Sequence, residues 1–355
     1  MMSEVSAHTI LSLIHNRLPE FEPDGNLQEL SGGNLNHVWR LNGRNQSLII
    51  KHAPPYIASS PDVPLSSDRL AFEARALKMF QPSGALYDLV QNGFRPPEPF
   101  FYDSENSVLV MEDLGEMKPL GRGIHGFISA GKIGYELGTF IGNLHRSTYQ
   151  KEPFRKDFNN QQIQVTRNRL QYQPACEYAE IQESGLSAKV RMITQELGKQ
   201  LLEPGKCLVM GDLWPPSLFI GRAQELRLID WEFAHFGKPL QDIAHFAAHC
   251  FMQHQMATTP KGAEDWVRIW EEFWSGYQKI TGSYFKKLIN KQELKEMYVH
   301  AGAEILIRAA GPFKEGYVYE NLSRNDVLIK EAKNIAVQFI LKPVEEIESF
   351  NPFQN

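Results

Sequence analysis

Between Leu208 and Glu232 two short apolar runs each lead into an aspartate. Leu208-Val209-Met210 passes through Gly211 to Asp212, and Leu226-Arg227-Leu228-Ile229 ends at Asp230. Ser217 follows the first acid by five positions, and Glu232 follows the second by two. Two acids on loops at the ends of neighbouring strands can divide the labour of phosphoryl transfer. One orients the attacking hydroxyl, and the other holds a metal ion that bridges phosphates. In an extended segment Glu232 points to the same side as Asp230 and can share that metal. An aspartate after a strand is equally a common turn residue or helix cap, so the pair alone leaves both readings open.

The residues upstream narrow the choice. Val5, Ile10, Leu11, Leu13, Ile14 and Leu18 predict a short amphipathic helix over 5–18, ending before Pro19. Strand-like pieces follow at 37–41, 47–51, 98–103 and 107–111, punctuated by Ser31-Gly32-Gly33-Asn34 and Asn42-Gly43-Arg44-Asn45. A helix over 67–80 is signalled by Leu70, Ala74, Leu77 and Met79, with Ser66 or Ser67 as its cap. Lys51 ends an apolar strand, where an ammonium can reach phosphates, although an exposed strand-end lysine fits the same pattern. Glu73 on the next helix can pair with Lys51 or be a solvated charge. The Gly32-Gly33 turn can cover phosphates with backbone N–H groups or be a plain hairpin. What carries weight is the order: glycine turn, Lys, Glu, then Asp, Ser, Asp.

In that order and spacing the chain resembles the protein-kinase-like superfamily of small-molecule phosphotransferases, in its aminoglycoside phosphotransferase and choline kinase branch. Two stretches most resemble 5-methylthioribose kinase. One is Gly33-Asn34-Leu35-Asn36-His37-Val38 with Ser47 to Lys51 and Pro55-Tyr56; the other is Gly211-Asp212-Leu213 to Ser217 with Ile229-Asp230-Trp231-Glu232-Phe233-Ala234. The resemblance runs in order over about residues 28 to 311. It implies an α+β, two-lobed fold: an N-terminal nucleotide-binding lobe over 1–111 with a five-stranded antiparallel sheet and one main helix, a hinge at 112–116, and a larger, mostly helical catalytic lobe over 117–355. It implies ATP and Mg²⁺ as cofactors. Gly32, Gly33, Asn34 and Asn36 would cover the phosphates. Lys51, steadied by Glu73, would bind them, and backbone groups of Glu112 and Leu114 would read adenine. Asp212 would be the base, with Asp230, Glu232 and Ser217 around the metal. Asp212, Trp231 and Arg308 would face the acceptor, and Asp242 would buttress the catalytic loop, a helix cap being the plainer reading.

The departures bear on the acceptor. A histidine two positions before the base is Met210 here, the usual metal-binding asparagine is Ser217, and the first of two adjacent substrate arginines is Ile307. Trp214-Pro215-Pro216 replaces a more polar loop. A sugar that loses one charged partner loses about 1.5–3 kcal/mol of binding. A methylthioribose-like sugar is the expected acceptor, with an amino alcohol or an aminoglycoside as alternatives and a nucleotide-binding pseudokinase without turnover as the rival class. About a dozen residues separate Asp230 from Asp242, too few for a peptide-docking activation segment. His245 and His249 are spaced as zinc ligands can be, but core or surface packing accounts for them, as core packing does for Trp266, Trp270, Phe273, Trp274 and Tyr277.

Composition excludes other classes. With a net charge of -5 and dispersed Lys and Arg, the chain offers no basic face for nucleic acid. Three cysteines without a CxxC pair fit a reducing cytoplasm. No leader or membrane span is legible. The expected partner is a small-molecule hydroxyl substrate, and a homodimer is compatible with the sequence.

Overall fold

The computed structural model describes residues 5–30, 35–90, 94–121, 128–314 and 317–353. The chain divides into two compact units: Met1–Met117 with Leu226–Ala234, and Lys118–Glu225 with His235–Asn355. Leu226–Ala234, which sequence order puts with the catalytic lobe, therefore belongs to the first unit.

The first unit is built on a five-stranded sheet. Its strands are β1 (Gln28–Glu29), β2 (His37–Asn42), β3 (Ser47–His52), β4 (Pro99–Asp103) and β5 (Val108–Glu112), in the order β1-β2-β3-β5-β4. All neighbours are antiparallel, as the alternation of apolar runs and polar turns predicts. Leu48 and Ile50 of β3 join Val108 and Val110 of β5 and Ile10 and Ile14 of helix α1 (Ala7–Arg17) in one apolar cluster. Strand period 2 then sends Lys51 to the opposite face, toward helix α2 (Arg69–Met79). The cap of α2 is Asp68 rather than Ser66 or Ser67, and no side chain makes a capping bond there; Ser66 Oγ accepts from the Asp68 N–H instead. Leu226–Leu228 lies parallel to Phe94–Arg95 and delivers Asp230 to the sheet's unit.

The second unit is mostly helical. Helices α3 (Ala130–Thr148), α4 (Leu240–Gln255), α5 (Pro260–Thr281), α6 (Lys291–Ala310) and α7 (Val327–Leu341) form its body, beside a small antiparallel pair, Cys207–Val209 with His235–Gly237. Every residue of α4 from Leu240 to Gln253 is buried. A helix surrounded on all sides must satisfy its polar residues internally. The aromatic stripe of α5 is core: Trp266, Trp270, Phe273 and Tyr277 are buried. The three cysteines are free and buried. Among the described residues no helix is long and apolar enough to cross a membrane.

Glycines let α3 and α5 approach closely. A Cβ at Gly134 would sit 2.1 Å from the Ile269 carbonyl oxygen, and one at Gly138 would sit 2.0 Å from that of Phe273. Backbone cannot retreat as a flexible side chain can. Gly138→Ala should therefore destabilise the protein by about 1–3 kcal/mol in urea unfolding. A change within error would show that these helices are not close-packed.

Candidate active site

In the first unit a chain of ion pairs surrounds Lys51. Its Nζ lies 2.8 Å from Glu73 Oε1 and 2.5 Å from Asp230 Oδ1. Lys51 and Glu73 are buried. Burial pulls the Lys51 ammonium down, but Asp230, Glu73 and Glu232 together outweigh it and hold the group above its ordinary range. Burial pushes Glu73 up to about 7 despite its lysine partner, because Asp230 and Glu232 add negative charge nearby. Asp230 stands at φ 66°, a left-handed conformation that costs a non-glycine residue about 1–3 kcal/mol. Its Oδ2 has no partner among the described residues.

Glu232 is held differently. Both of its oxygens lie 3.0 Å from the donating Asn36 Nδ2, and the buried Arg69 Nε is 3.1 Å from Oε2. Burial pushes the Glu232 carboxyl up, against the pull of Arg69 and Lys51. Arg69, which sequence reasoning missed, also donates to the carbonyls of Leu35, Pro54 and Ser66. It ties the segment after residues 31–34 to the start of α2. Gly32, Gly33 and Asn34 lie outside the described residues.

The Glu112 side chain takes a bidentate bond from Arg95, at 2.6 and 2.7 Å, and its N–H donates to the Glu98 carbonyl. The Leu114 carbonyl accepts from the Met117 N–H. Trp231, expected beside the acceptor, is instead core: it has no exposed surface, packs on Phe80 at 5.0 Å and donates its indole N–H to the Leu228 carbonyl.

The second unit holds Asp212. Helix α4 fixes the backbone just before it: Asp242 accepts from the N–H groups of Met210 (2.9 Å) and Gly211 (2.7 Å), and His145 Nε2 lies 3.0 Å from the same carboxylate. Asp242 is not the cap of α4, which is Pro239; its carboxylate serves the loop instead. Arg167 Nη2 donates to Asp212 Oδ1 at 2.8 Å while its Nη1 donates to the Gly211 carbonyl. His245 Nε2 approaches the same Oδ1 at 3.2 Å. Burial would raise the Asp212 carboxyl, but His245, Arg167 and Arg308 outweigh it and hold it below the usual range. Ser217 is buried and donates its hydroxyl to the Trp214 carbonyl.

Arg308 projects from α6 into an aromatic enclosure. Its guanidinium lies over Trp214 (5.1 Å), Tyr317 (5.5 Å) and Phe313 (5.9 Å), and its Nε donates to Glu304 Oε1 at 2.8 Å. Glu304 also meets His249 at 3.1 Å and His245 at 3.6 Å. A metal at His245, His249 and Glu304 would compete with the guanidinium already bonded to that carboxylate.

A family model described as the phosphotransferase enzyme family matches residues 26–280. The chain belongs to this family. A 4-hydroxytryptamine kinase from Psilocybe cyanescens is 30% identical over 256 residues, 65% of this chain and 68% of its own. A methylthioribose kinase from Bacillus pumilus (strain SAFR-032) is 25% identical over 322 residues, 80% of this chain and 78% of its own. Among solved structures, an amicoumacin kinase in complex with AMP-PNP, Ca²⁺ and Ami has a TM-score of 0.54 at 13% identity, covering 99% of this chain and 96% of that one. That likeness concerns the fold, which is protein-kinase-like. The chain is accordingly a small-molecule kinase with an alcohol group as acceptor.

In this phosphotransferase two acids beside Arg308, Asp212 and Glu304, are depressed by their partners. Burial opposes ionisation of Glu304, but His245, Arg308 and His249 hold it well below the carboxylate range. An acid of lowered pKa stabilises the fold above its unfolded pKa and loses that contribution as pH falls through the folded value. Glu304→Gln should cost about 3–5 kcal/mol at neutral pH by leaving Arg308 without its buried partner. The gap from wild type should start to narrow below about pH 4, the unfolded range, and close only as pH falls through the lower folded value, where the native acid also becomes protonated. Urea titrations across pH check this, and a pH-independent gap would contradict it.

Proposed function

We propose that this kinase transfers the γ-phosphate of Mg²⁺-bound ATP to the hydroxyl of a small acceptor with a flat, aromatic body. Lys51, paired with Glu73, would hold phosphate oxygens. Asp230 fits a divalent cation because it keeps one carboxylate oxygen unpartnered and a third of its side chain exposed (32%). Glu232, bonded to Arg69 and Asn36, would orient the loop around that oxygen, and Ser217, whose hydroxyl donates to the Trp214 carbonyl, is the further metal ligand that the resemblance implies. Mg²⁺ when bound neutralises charge on the phosphates. Asn36 and the Gly32 to Asn34 turn would cover them, and Glu112 and Leu114 would offer backbone groups to adenine. Asp212 would accept the proton of the acceptor hydroxyl through Oδ2, since Arg167 and His245 both lie on Oδ1.

The observation that carries the acceptor reading is the state of Arg308. Its charge is already met by Glu304, its faces lie against three aromatic rings, and the neighbouring Ile307 is buried and apolar. The Nε of that guanidinium is taken by Glu304, whereas half-buried Trp214, two residues after Asp212, offers a ring for stacking. The 4-hydroxytryptamine kinase among the relatives supports an aromatic hydroxyl acceptor. A methylthioribose-like sugar is the second reading, favoured by the position of Arg308 and by the Bacillus relative.

A coupled ATP assay over 4-hydroxytryptamine, methylthioribose, choline and an aminoglycoside decides between these acceptors. The expected result is the highest kcat/KM for the hydroxyindole. A higher value for methylthioribose would replace this reading with the sugar one. Trp214→Ala should raise the acceptor KM about 10-fold by removing a stacking partner. Asp212→Asn should lower kcat by about 10²–10⁴ with little change in KM for ATP, and full activity would remove it as base. Asp230→Asn should abolish Mg²⁺-dependent turnover, and millimolar Mg²⁺-ATP should raise the Tm of the wild type.

A further inference from the structure

Three carboxylates in the second unit, two of them buried and Asp212 partly exposed, are reached by the same kind of chain. Tyr277 OH lies 3.1 Å from His145 Nδ1, whose Nε2 is 3.0 Å from Asp242. Tyr317 OH lies 3.0 Å from His249 Nδ1, whose Nε2 is 3.1 Å from Glu304. The third chain is one ring longer. Tyr172 OH lies 2.6 Å from His300 Nδ1, His300 Nε2 lies 3.4 Å from His245 Nδ1, and His245 Nε2 lies 3.2 Å from Asp212 Oδ1.

Donor arithmetic gives the third chain a direction. An ionised carboxylate only accepts, so the proton between His245 and Asp212 belongs on Nε2 of His245. With one proton on the ring, Nδ1 of His245 becomes an acceptor and must be served by the Nε2–H of His300. Nδ1 of His300 then accepts from the Tyr172 hydroxyl. One proton per ring gives each of these contacts one donor and one acceptor. Burial holds His300 well below its ordinary pKa, which keeps it neutral. His245 is buried, and its Nε2 makes no aligned hydrogen bond; Asp212 Oδ1 is the carboxylate oxygen it approaches. Catalytic hydrogen bonds are often long in the free enzyme and tighten when the complex forms. The other groups around the ring are Glu304, whose Oε2 is 3.6 Å from Nδ1, and His249, whose ring centroid is 4.8 Å away.

We propose that His245 is a positioning residue for phosphoryl transfer. Its Nε2–H, kept in that tautomer by His300 and Tyr172, holds Asp212 Oδ1 so that Oδ2 faces the acceptor hydroxyl. The role rests on the reading of Asp212 as the base. An N–H donor on Oδ1 fixes the carboxylate while leaving Oδ2 to the acceptor hydroxyl.

Steady-state kinetics of the full chain and ¹⁵N-histidine NMR of the wild type test this. His245→Leu should lower kcat about 10–100-fold while KM for ATP stays within about 2-fold, because a misplaced base slows chemistry without touching nucleotide. His245→Gln restores an amide N–H near the place of Nε2 and should recover kcat to within about 5-fold of wild type. Equal losses in the two variants, or an unchanged kcat in His245→Leu, would overturn the proposal. NMR should show His245 and His300 as neutral Nε2–H tautomers at pH 7. An Nδ1–H tautomer in either would overturn it even if neither variant folds. Full activity of Asp212→Asn would remove the base and this role together; an inactive Asp212→Asn beside equal losses at His245 would remove this role alone.

Discussion

Two consecutive N–H groups, those of Met210 and Gly211, end on one buried carboxylate, Asp242. The second unit is organised around that bond. The short strand ending at Val209 would otherwise continue into a loop free to place Asp212 in many ways. Asp242 stops it, and Gly211 at φ 85° turns the chain so that the next residue leaves the strand line. A carboxylate accepting two backbone N–H groups and facing His145 is fully satisfied, so it can be wholly buried. Because Asp242 begins helix α4, the same helix brings His245 and His249 to the loop at one-turn intervals. One buried helix thus serves as the frame for Asp212, for its imidazole neighbour and for the Glu304 cluster.

The first unit meets a different constraint, which is charge in a place that excludes water. Lys51, Arg69, Glu73 and Glu232 are all buried. None would be tolerated alone, since an unpaired buried charge costs several kcal/mol. They persist because each cation spans two acidic or carbonyl partners, and because the left-handed turn at Asp230 brings a further carboxylate to Lys51. The three acids outnumber the two cations, and burial, with the neighbouring acids adding to it, raises both Glu73 and Glu232. A magnesium-bound phosphate chain would bring cation and anion together to that surplus, which is the electrostatic logic expected of a nucleotide site.

Much of this was legible beforehand. The sheet strands, the helix that carries Glu73 and the acid-bearing loops follow from hydrophobic period and turn residues, which are local properties. Lys51, Glu73, Asp212 and Asp230 stand out because they are ionisable residues at the ends of apolar runs. Arg69, Arg167 and Glu304 did not stand out, and His245 stood out only for a spacing that packing explains. Each sits within a helix and resembles a surface charge or a core histidine until its partner, distant in sequence, is known. Trp231 misled for the complementary reason: it adjoins Asp230, but strand and turn geometry send neighbouring side chains in different directions, and this one went into the core.

The sequence by itself determined the fold class, the order of the chemical groups and the family, because periodicity and spacing are written along the chain. The tertiary structure decided which oxygen of Asp212 is engaged, which partner neutralises Arg308, and that Glu232 meets an arginine and an amide. Those outcomes depend on distances of about 3 Å between residues far apart in sequence, and hydrogen bonds and ion pairs switch on only at that range. No local pattern encodes them; they exist only once the helices are packed.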